Sequence, residues 1–126
     1  MLDIKKQIKH WRSGAVEDWE VARSLVAQGR LRHGLFFAHL TLEKVLKAHV
    51  CRAERTLAPP IHNLVRLADK AGLSLGSDQR NLLAEVNSFN IEGRYPELFL
   101  PLPSRHEADN YIEKIGELLE CLNKMF

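Results

Sequence analysis

A chain of 126 residues with a mass of 14.4 kDa falls in the size range of one domain. Folding at that size buries roughly two-thirds of the surface that the unfolded chain exposes, which suffices for one modest core. Apolar residues make up 45% of the chain and charged residues 27%, with only 7 Gly and 5 Pro. This composition excludes disordered, collagen-like and low-complexity proteins, so we expect one soluble domain over residues 1–126.

The formal net charge of +2 is too small to indicate nucleic-acid binding by itself, but it is unevenly distributed. Residues 1–63 carry eleven Lys and Arg against six Asp and Glu, and residues 64–126 carry seven against ten, so the halves stand at +5 and −3. Two interpretations stay open. The first half forms a basic face for phosphates, or complementary helices pair within one bundle or between protomers.

Cysteine usage and the absence of long apolar segments indicate the compartment. Cys51 and Cys121 each lie inside an amphipathic segment, so we expect small core residues in a reducing environment. No HExxH, GxGxxG, P-loop or close Cys/His set occurs, so we expect no metal and no cofactor. Residues 35–42, the longest nearly uncharged segment, are far short of the roughly 20 needed to span a bilayer. We therefore expect a cytoplasmic protein without membrane contact.

Apolar residues at three- and four-residue steps predict two long helices in the first half of the chain. The first runs from Ile4 to about Gln28, where Gly29 ends it, and its stripe includes two tryptophans. The second runs from near Arg30 to about Ala53. The short link between them predicts an antiparallel hairpin.

Three more helices are predicted after the Pro59–Pro60 pair, which fixes an extended connector. The third covers residues 64–71, and Ser77 or Asp78 can cap a fourth that ends near Gly93. A rigid proline-rich segment over 94–103 follows, and then a capping box of Ser104 and Glu107 opens the last helix. Because no segment alternates with period two, we predict an all-α fold, an up-and-down bundle of four to five helices.

The densest polar group lies on the second helix, where His39, Glu43 and Lys47 stand at i, i+4 and i+8. They form one row about 12 Å long on a single face. The row is either a weak surface pair or a partly buried polar group beside the apolar residues that flank it.

Two further groups can contact a ligand. His62 stands beside Asn63 at the start of the third helix, and either residue can cap that helix, or the imidazole can face a cleft, where it both donates and accepts. Arg94 offers a planar fork for phosphate and Tyr95 a face for stacking on a base. The alternatives are that Arg94 binds helix carbonyls and Tyr95 packs on the prolines.

Four segments in combination carry a resemblance to a known family: DWEVARSL at 18–25, FFAHLTLEKVLKA at 36–48, HNLVRL at 62–67 and FNIEGRYP at 89–96. Over about residues 5–122 the chain resembles the HEPN domain family (higher eukaryotes and prokaryotes nucleotide-binding). The resemblance implies a helical bundle similar to the C-terminal domain of kanamycin nucleotidyltransferase. It also implies a homodimer encoded beside a minimal nucleotidyltransferase in a toxin–antitoxin-like pair.

Many members of that family resemble metal-independent endoribonucleases, whose motif is an Arg followed four to six residues later by a His. The His acts as acid or base on the ribose 2′-OH, and the Arg stabilises the phosphorane charge. Arg94 lies where the Arg of the motif is expected, but the next histidine, His106, follows only after eleven intervening residues. The standard motif is therefore absent from its expected place.

Three hypotheses follow. The first is a nucleotide- or RNA-binding partner of a nucleotidyltransferase; its binding residues would be His39, Glu43, Lys47, His62, Arg94 and Tyr95. The second is an endoribonuclease toxin with a degenerate site, in which Arg94 acts with His106 or His62. The third is a purely structural dimerisation module.

Overall fold

The structure is a computed structural model that describes residues 2–94 and 103–126, with side chains for 2–90 and 103–126. Within these ranges the chain forms five helices and no strand. The helices are α1 (Ile4–Ala27), α2 (Leu31–Glu54), α3 (Leu64–Lys70), α4 (Ser77–Arg94) and α5 (Arg105–Lys124). The predicted all-α bundle is confirmed. No helix in the described ranges has the length and apolar character needed to cross a membrane.

The helix α2 is the centre of the bundle, since α1, α3, α4 and α5 all pack against it. From Val45 to Cys51 every residue of α2 is buried, so this stretch meets protein on all sides. The helix α5 runs antiparallel to α1: Arg105 donates to the carbonyl of Ala27 at one end, 3.1 Å, and Arg12 to Asn123 Oδ1 at the other, 3.5 Å.

Side-chain caps set two of the helix starts as the sequence predicts. Ser104 Oγ accepts from the backbone N–H of Glu107 at 3.0 Å, and Glu107 Oε1 accepts from the backbone N–H of Ser104 at 2.9 Å. The capping box is therefore confirmed, and the Ser104 N–H lowers the pKa of the Glu107 carboxyl. At α3 the cap is Asn63, whose Oδ1 accepts from the N–H of Arg66 at 3.1 Å.

The predicted cap of α4 is wrong. The helix already includes Ser77, and the carbonyl of Gly76 accepts its first backbone bond from the N–H of Arg80 at 3.0 Å. The N–H of Gly76 donates to Gln79 Oε1 at 2.9 Å. Gln79 thus supplies half of a capping box from inside the helix, and glycine is acceptable at the capping position.

The two cysteines differ in environment. Cys51 is fully buried, as predicted, and burial raises the pKa of its thiol. Cys121 is only half-buried, because it lies at the edge between α4 and α5, where its Sγ is 3.5 Å from Nε2 of Gln79. The expectation of a core position is therefore wrong for Cys121.

A glycine brings α1 and α2 into close contact. A Cβ built on Gly34 would lie 2.5 Å from Val26 Cγ2 and 3.0 Å from both the carbonyl oxygen of Ala22 and the backbone nitrogen of Val26. Any larger residue would force the two helices apart. The pair of helices therefore requires glycine at this crossing.

An aromatic stack closes the other end of the bundle. The imidazole of His49 is buried, and its Nε2 donates to the carbonyl of Leu122 at 2.9 Å. The ring stacks on Phe126 with centroids 3.8 Å apart, and the guanidinium of Arg12 lies 4.1 Å from the centroid of the same ring. Burial lowers the pKa of His49, so its ring is neutral at pH 7.

Replacing Gly34 by alanine is expected to lower the free energy of unfolding by about 1–3 kcal/mol, because the new methyl group overpacks the α1–α2 contact. Urea denaturation followed by far-UV circular dichroism measures the change. Gly116→Ala is the matched control, since its Cβ would meet only Trp19, at 3.5 Å. That control should be neutral or gain up to about 1 kcal/mol from helix propensity. If the two variants were equally stable, the close contact between α1 and α2 at Gly34 would be contradicted.

The buried His49 is expected to make stability fall on acidification. Its pKa in the folded protein lies below the ordinary value of 6.5, so between these two values the unfolded chain binds a proton that the native state does not. The contribution is fully present above about pH 6.5 and is lost as the pH falls toward the lowered folded pKa. His49→Gln keeps a donor for Leu122 without titrating. Urea midpoints across this range should fall more steeply for the native sequence, and equal slopes would contradict the effect.

Candidate functional site

The row on α2 is buried rather than displayed on the surface. His39, Glu43 and Lys47 are 0%, 5% and 6% exposed. Their four-residue spacing places them on one face of α2, as the sequence predicts. That face meets the connector between α2 and α3 on one side and α1 on the other, so neighbouring chain covers it.

Glu43 is the centre of a polar cluster. Its four members are His39, Glu43, Lys47 and His62. Its Oε2 accepts from Nζ of Lys47 at 3.1 Å, and its Oε1 accepts from Nδ1 of His62 at 3.0 Å. His39 Nδ1 lies 3.9 Å from Oε1. His39 also reaches the connector, because its Nε2 donates to the backbone carbonyl of His62 at 3.1 Å.

These partners assign the imidazole tautomers. A carboxylate and a backbone carbonyl can only accept, so the hydrogen lies on Nδ1 of His62 and on Nε2 of His39. Neutral His62 therefore presents Nε2 as an acceptor, and protonated His62 presents it as a donor. Nε2 has no hydrogen-bond partner among the residues that the structure describes.

His62 differs from the other three residues in exposure. The side chain of His62 is 51% exposed, whereas those of Glu43 and Lys47 are 7% and 8% exposed. Asn63 caps α3, so the His62 ring is available to turn toward Glu43. The start of α3 is also held to α4, since the N–H of Leu64 donates to Asn87 Oδ1 at 2.8 Å. The connector thus carries one anchored imidazole at the surface.

Trp11 belongs to the surroundings of this cluster, which the sequence does not indicate. The Nζ of Lys47 lies 5.2 Å from the centroid of the Trp11 ring, a cation–π contact that joins α1 to the cluster. In the sequence Trp11 is one member of the apolar stripe of α1. No spacing signal connects it to Lys47, which lies 36 positions away.

The remaining predicted site residues are placed as follows. His106 is exposed in the first turn of α5, next to Arg105, whose guanidinium reaches the end of α1. Arg94 is the last residue of α4, and its side chain lies outside the described residues. Tyr95 lies outside them altogether. In the described ranges no three His, Cys, Asp or Glu side chains form a group that could hold a metal ion.

The cluster holds its exposed member in one orientation. Lys47 balances the charge of Glu43, which lowers the cost of keeping a carboxylate in a buried place. The carboxylate in turn fixes the tautomer and direction of the His62 ring. An imidazole held in this way can accept a proton at Nε2, return it, or donate a hydrogen bond to an anion when protonated.

Comparisons with known proteins agree with this fold. The crystal structure of TT1696 from Thermus thermophilus superimposes with a TM-score of 0.80 at 19% sequence identity, over 95% of this chain and 98% of that one. A search of the curated proteins gives no match. The HEPN domain family matches residues 8–125. Because this match spans nearly the whole chain, the protein belongs to the HEPN domain family.

Proposed function

We propose that this chain binds a nucleotide or RNA through the surface around His62, and that it does so as a single domain over residues 1–126. Membership of the HEPN family supports a nucleotide- or RNA-binding role. The observation that carries the proposal is the exposed imidazole of His62, held on Nδ1 by the buried Glu43 with Nε2 directed away from that contact. A protonated Nε2 donates to a phosphate oxygen, and a neutral one accepts from a ribose hydroxyl or a base edge.

Only His62 among the four clustered residues has enough surface to touch a ligand. His39, Glu43 and Lys47 act through it: Glu43 orients the ring, Lys47 balances Glu43, and His39 holds the backbone of His62. They are positioning residues in this proposal.

Arg94 and Tyr95 keep their proposed roles as phosphate and base contacts, on the basis of the sequence. Arg94 ends α4, the helix whose Asn87 binds the start of α3 next to His62.

The proposal includes a protein partner. We propose that the chain forms a homodimer and works with a nucleotidyltransferase in a toxin–antitoxin-like pair, as its family resemblance implies. Co-purification with the nucleotidyltransferase encoded beside this chain tests this part. If no nucleotidyltransferase co-purifies with the chain, the partner is ruled out. Ligand binding is then still tested by calorimetric titration.

A second function, a metal-independent endoribonuclease, is favoured by one observation. A carboxylate on Nδ1 of His62 keeps Nε2 as the basic nitrogen, which is the arrangement that a general base for the ribose 2′-OH requires. This observation supports His62 rather than His106 as the histidine that would act with Arg94.

Ligand binding is expected to depend on His62. Calorimetric titration of the protein with ATP and with a short single-stranded RNA should detect binding, which His62→Ala weakens about tenfold by removing one charge-assisted hydrogen bond. His106→Ala is the matched control, because it removes an exposed histidine from another part of the bundle. Far-UV circular dichroism verifies that both variants are folded. A native protein that binds neither ligand, or equal affinities of the two variants, would rule out the proposed site.

The ribonuclease hypothesis is tested by growth during overexpression. If the chain cleaves RNA, the native protein should arrest growth, and His62→Ala and Arg94→Ala should relieve the arrest by removing the base and the phosphorane-stabilising group. His106→Ala should remain toxic. A harmless native protein, or toxicity unchanged in Arg94→Ala, would end this hypothesis.

A further inference from the structure

A groove of about 680 Å³ runs between α1 and α5, with α2 beneath it. We call it the α1–α5 groove. Its floor is apolar and includes the buried Val45 of α2 and Leu119 of α5, beside the half-buried Trp19 of α1. Val16 on its α1 side is 62% exposed, the largest exposure among the described bulky apolar side chains. An apolar floor of this kind, left open to water, favours a protein contact.

The two walls of the groove carry opposite charge. Apart from Lys124 in the last turn of α5, the charged lining residues are Arg12 and Arg23 on α1 and Glu113, Glu117 and Glu120 on α5. Within the described residues none of these five side chains forms an ion pair across the groove, although Arg12 bonds weakly to Asn123. Because Arg12 also lies over the ring of Phe126, Arg23 and the three carboxylates are the charges that stay available to another molecule.

The acidic wall destabilises the isolated chain. Its three carboxylates stand at i, i+4 and i+7, so they share one face of α5 and repel one another. Cations placed opposite them by another molecule would remove this repulsion.

We propose that the α1–α5 groove is an interface between two copies of this chain. One chain carries both the basic and the acidic wall, so the face complements itself. A twofold rotation can place the basic wall of each copy against the acidic wall of the other. Such self-complementarity is what an isologous interface requires. This inference rests on the homodimer in the proposed function and names the face through which it forms.

Charge selects the direction of the twofold axis. With an axis parallel to the helices, α1 of each copy faces α5 of the other, so basic residues meet acidic ones twice. With an axis across the helices in the interface plane, α1 faces α1 and α5 faces α5, so like charges meet. Only the parallel axis is electrostatically favourable.

Of the basic wall, Arg23 has the position along its helix that the parallel axis requires, whereas Arg12 faces Asn123, beside Lys124. Because α1 and α5 are antiparallel, Arg12 lies level with Asn123 and Trp19 lies level with Gly116. By the same spacing Arg23 lies level with residues 112–113. A parallel axis preserves these levels, so Arg23 of one copy faces Glu113 of the other.

The interface uses part of the charge asymmetry of the sequence. The basic wall belongs to the half of the chain at +5, and the acidic wall belongs to the half at −3. Contact between the two walls brings two of the eleven basic residues of the first half toward three of the ten acidic residues of the second half.

Sedimentation velocity tests the interface. The native chain should sediment as a dimer of about 29 kDa, twice the 14.4 kDa of one chain, at concentrations of tens of micromolar. Arg23→Glu and Glu113→Arg each place two like-charge contacts in the interface, and each should weaken dimerisation at least tenfold. An equimolar mixture of the two variants should restore the dimer, because both contacts are then between opposite charges. The chain carrying both substitutions should also dimerise.

Arg66→Glu is the matched control, since it reverses one exposed charge on α3, away from the groove, and should leave the dimer intact. A monomeric native chain would overturn the proposal, as would a dimer that neither substitution weakens or one that mixing does not restore. A monomeric chain that instead holds a different protein in the groove would also overturn it. Nucleotide titration of the same variants separates this result from the proposed function, because reversal of the groove charges should leave the His62 site unchanged.

Discussion

The burial of the middle of α2 is the constraint on which the rest of the molecule depends. The middle of a helix surrounded by four others has little surface for solvated charge, yet Glu43 and Lys47 are buried there, and Lys44 between them keeps partial exposure. Removal of two opposite charges from water costs several kcal/mol for each, roughly, and their mutual attraction offsets that cost only when the remaining polar atoms are also bonded. The carboxylate of Glu43 meets this condition, because Lys47 and His62 each donate to one of its oxygens, and the Lys47 ammonium also lies near the Trp11 ring.

This condition links stability to the candidate site. Lys47 bonds one oxygen of the Glu43 carboxylate, so the other oxygen, Oε1, needs a donor of its own. His62 supplies that donor from the connector. The connector therefore cannot move away from α2 without leaving a buried carboxylate oxygen unbonded, which costs about 1–3 kcal/mol or more for a charged group. The same bond that satisfies the interior holds an exposed imidazole in one orientation.

Local signals in the sequence predict much of the fold. Apolar periodicity, the proline pair and the capping box of Ser104 and Glu107 determine the number and order of helices, because each depends on residues within a few positions of one another. The row on α2 is predictable for the same reason, since helical geometry fixes the relation of i to i+4. The cap of α4 is not predictable in this way, because Gly76 acts through its backbone, which no side chain reveals.

The remaining features depend on packing between distant segments. Whether the α2 row is buried depends on what covers it, and the sequence alone leaves a surface pair equally open. The pairing of His62 with Glu43 and of Lys47 with Trp11 joins residues 19 and 36 positions apart, across a connector and a helix crossing. The half-exposed position of Cys121 likewise depends on how α4 meets α5.

Two neighbouring residues of α1 connect the two surfaces of the molecule. Trp11 contacts Lys47 in the polar cluster, while Arg12 lies on the wall of the α1–α5 groove and over the ring of Phe126. Successive helical side chains point about 100° apart, so α1 touches the site with one face and the groove with the next. The stack of Phe126 on His49, two positions from Lys47 on α2, joins the same two regions through the core. The two surfaces therefore share α1 as a wall, and neither occupies the other.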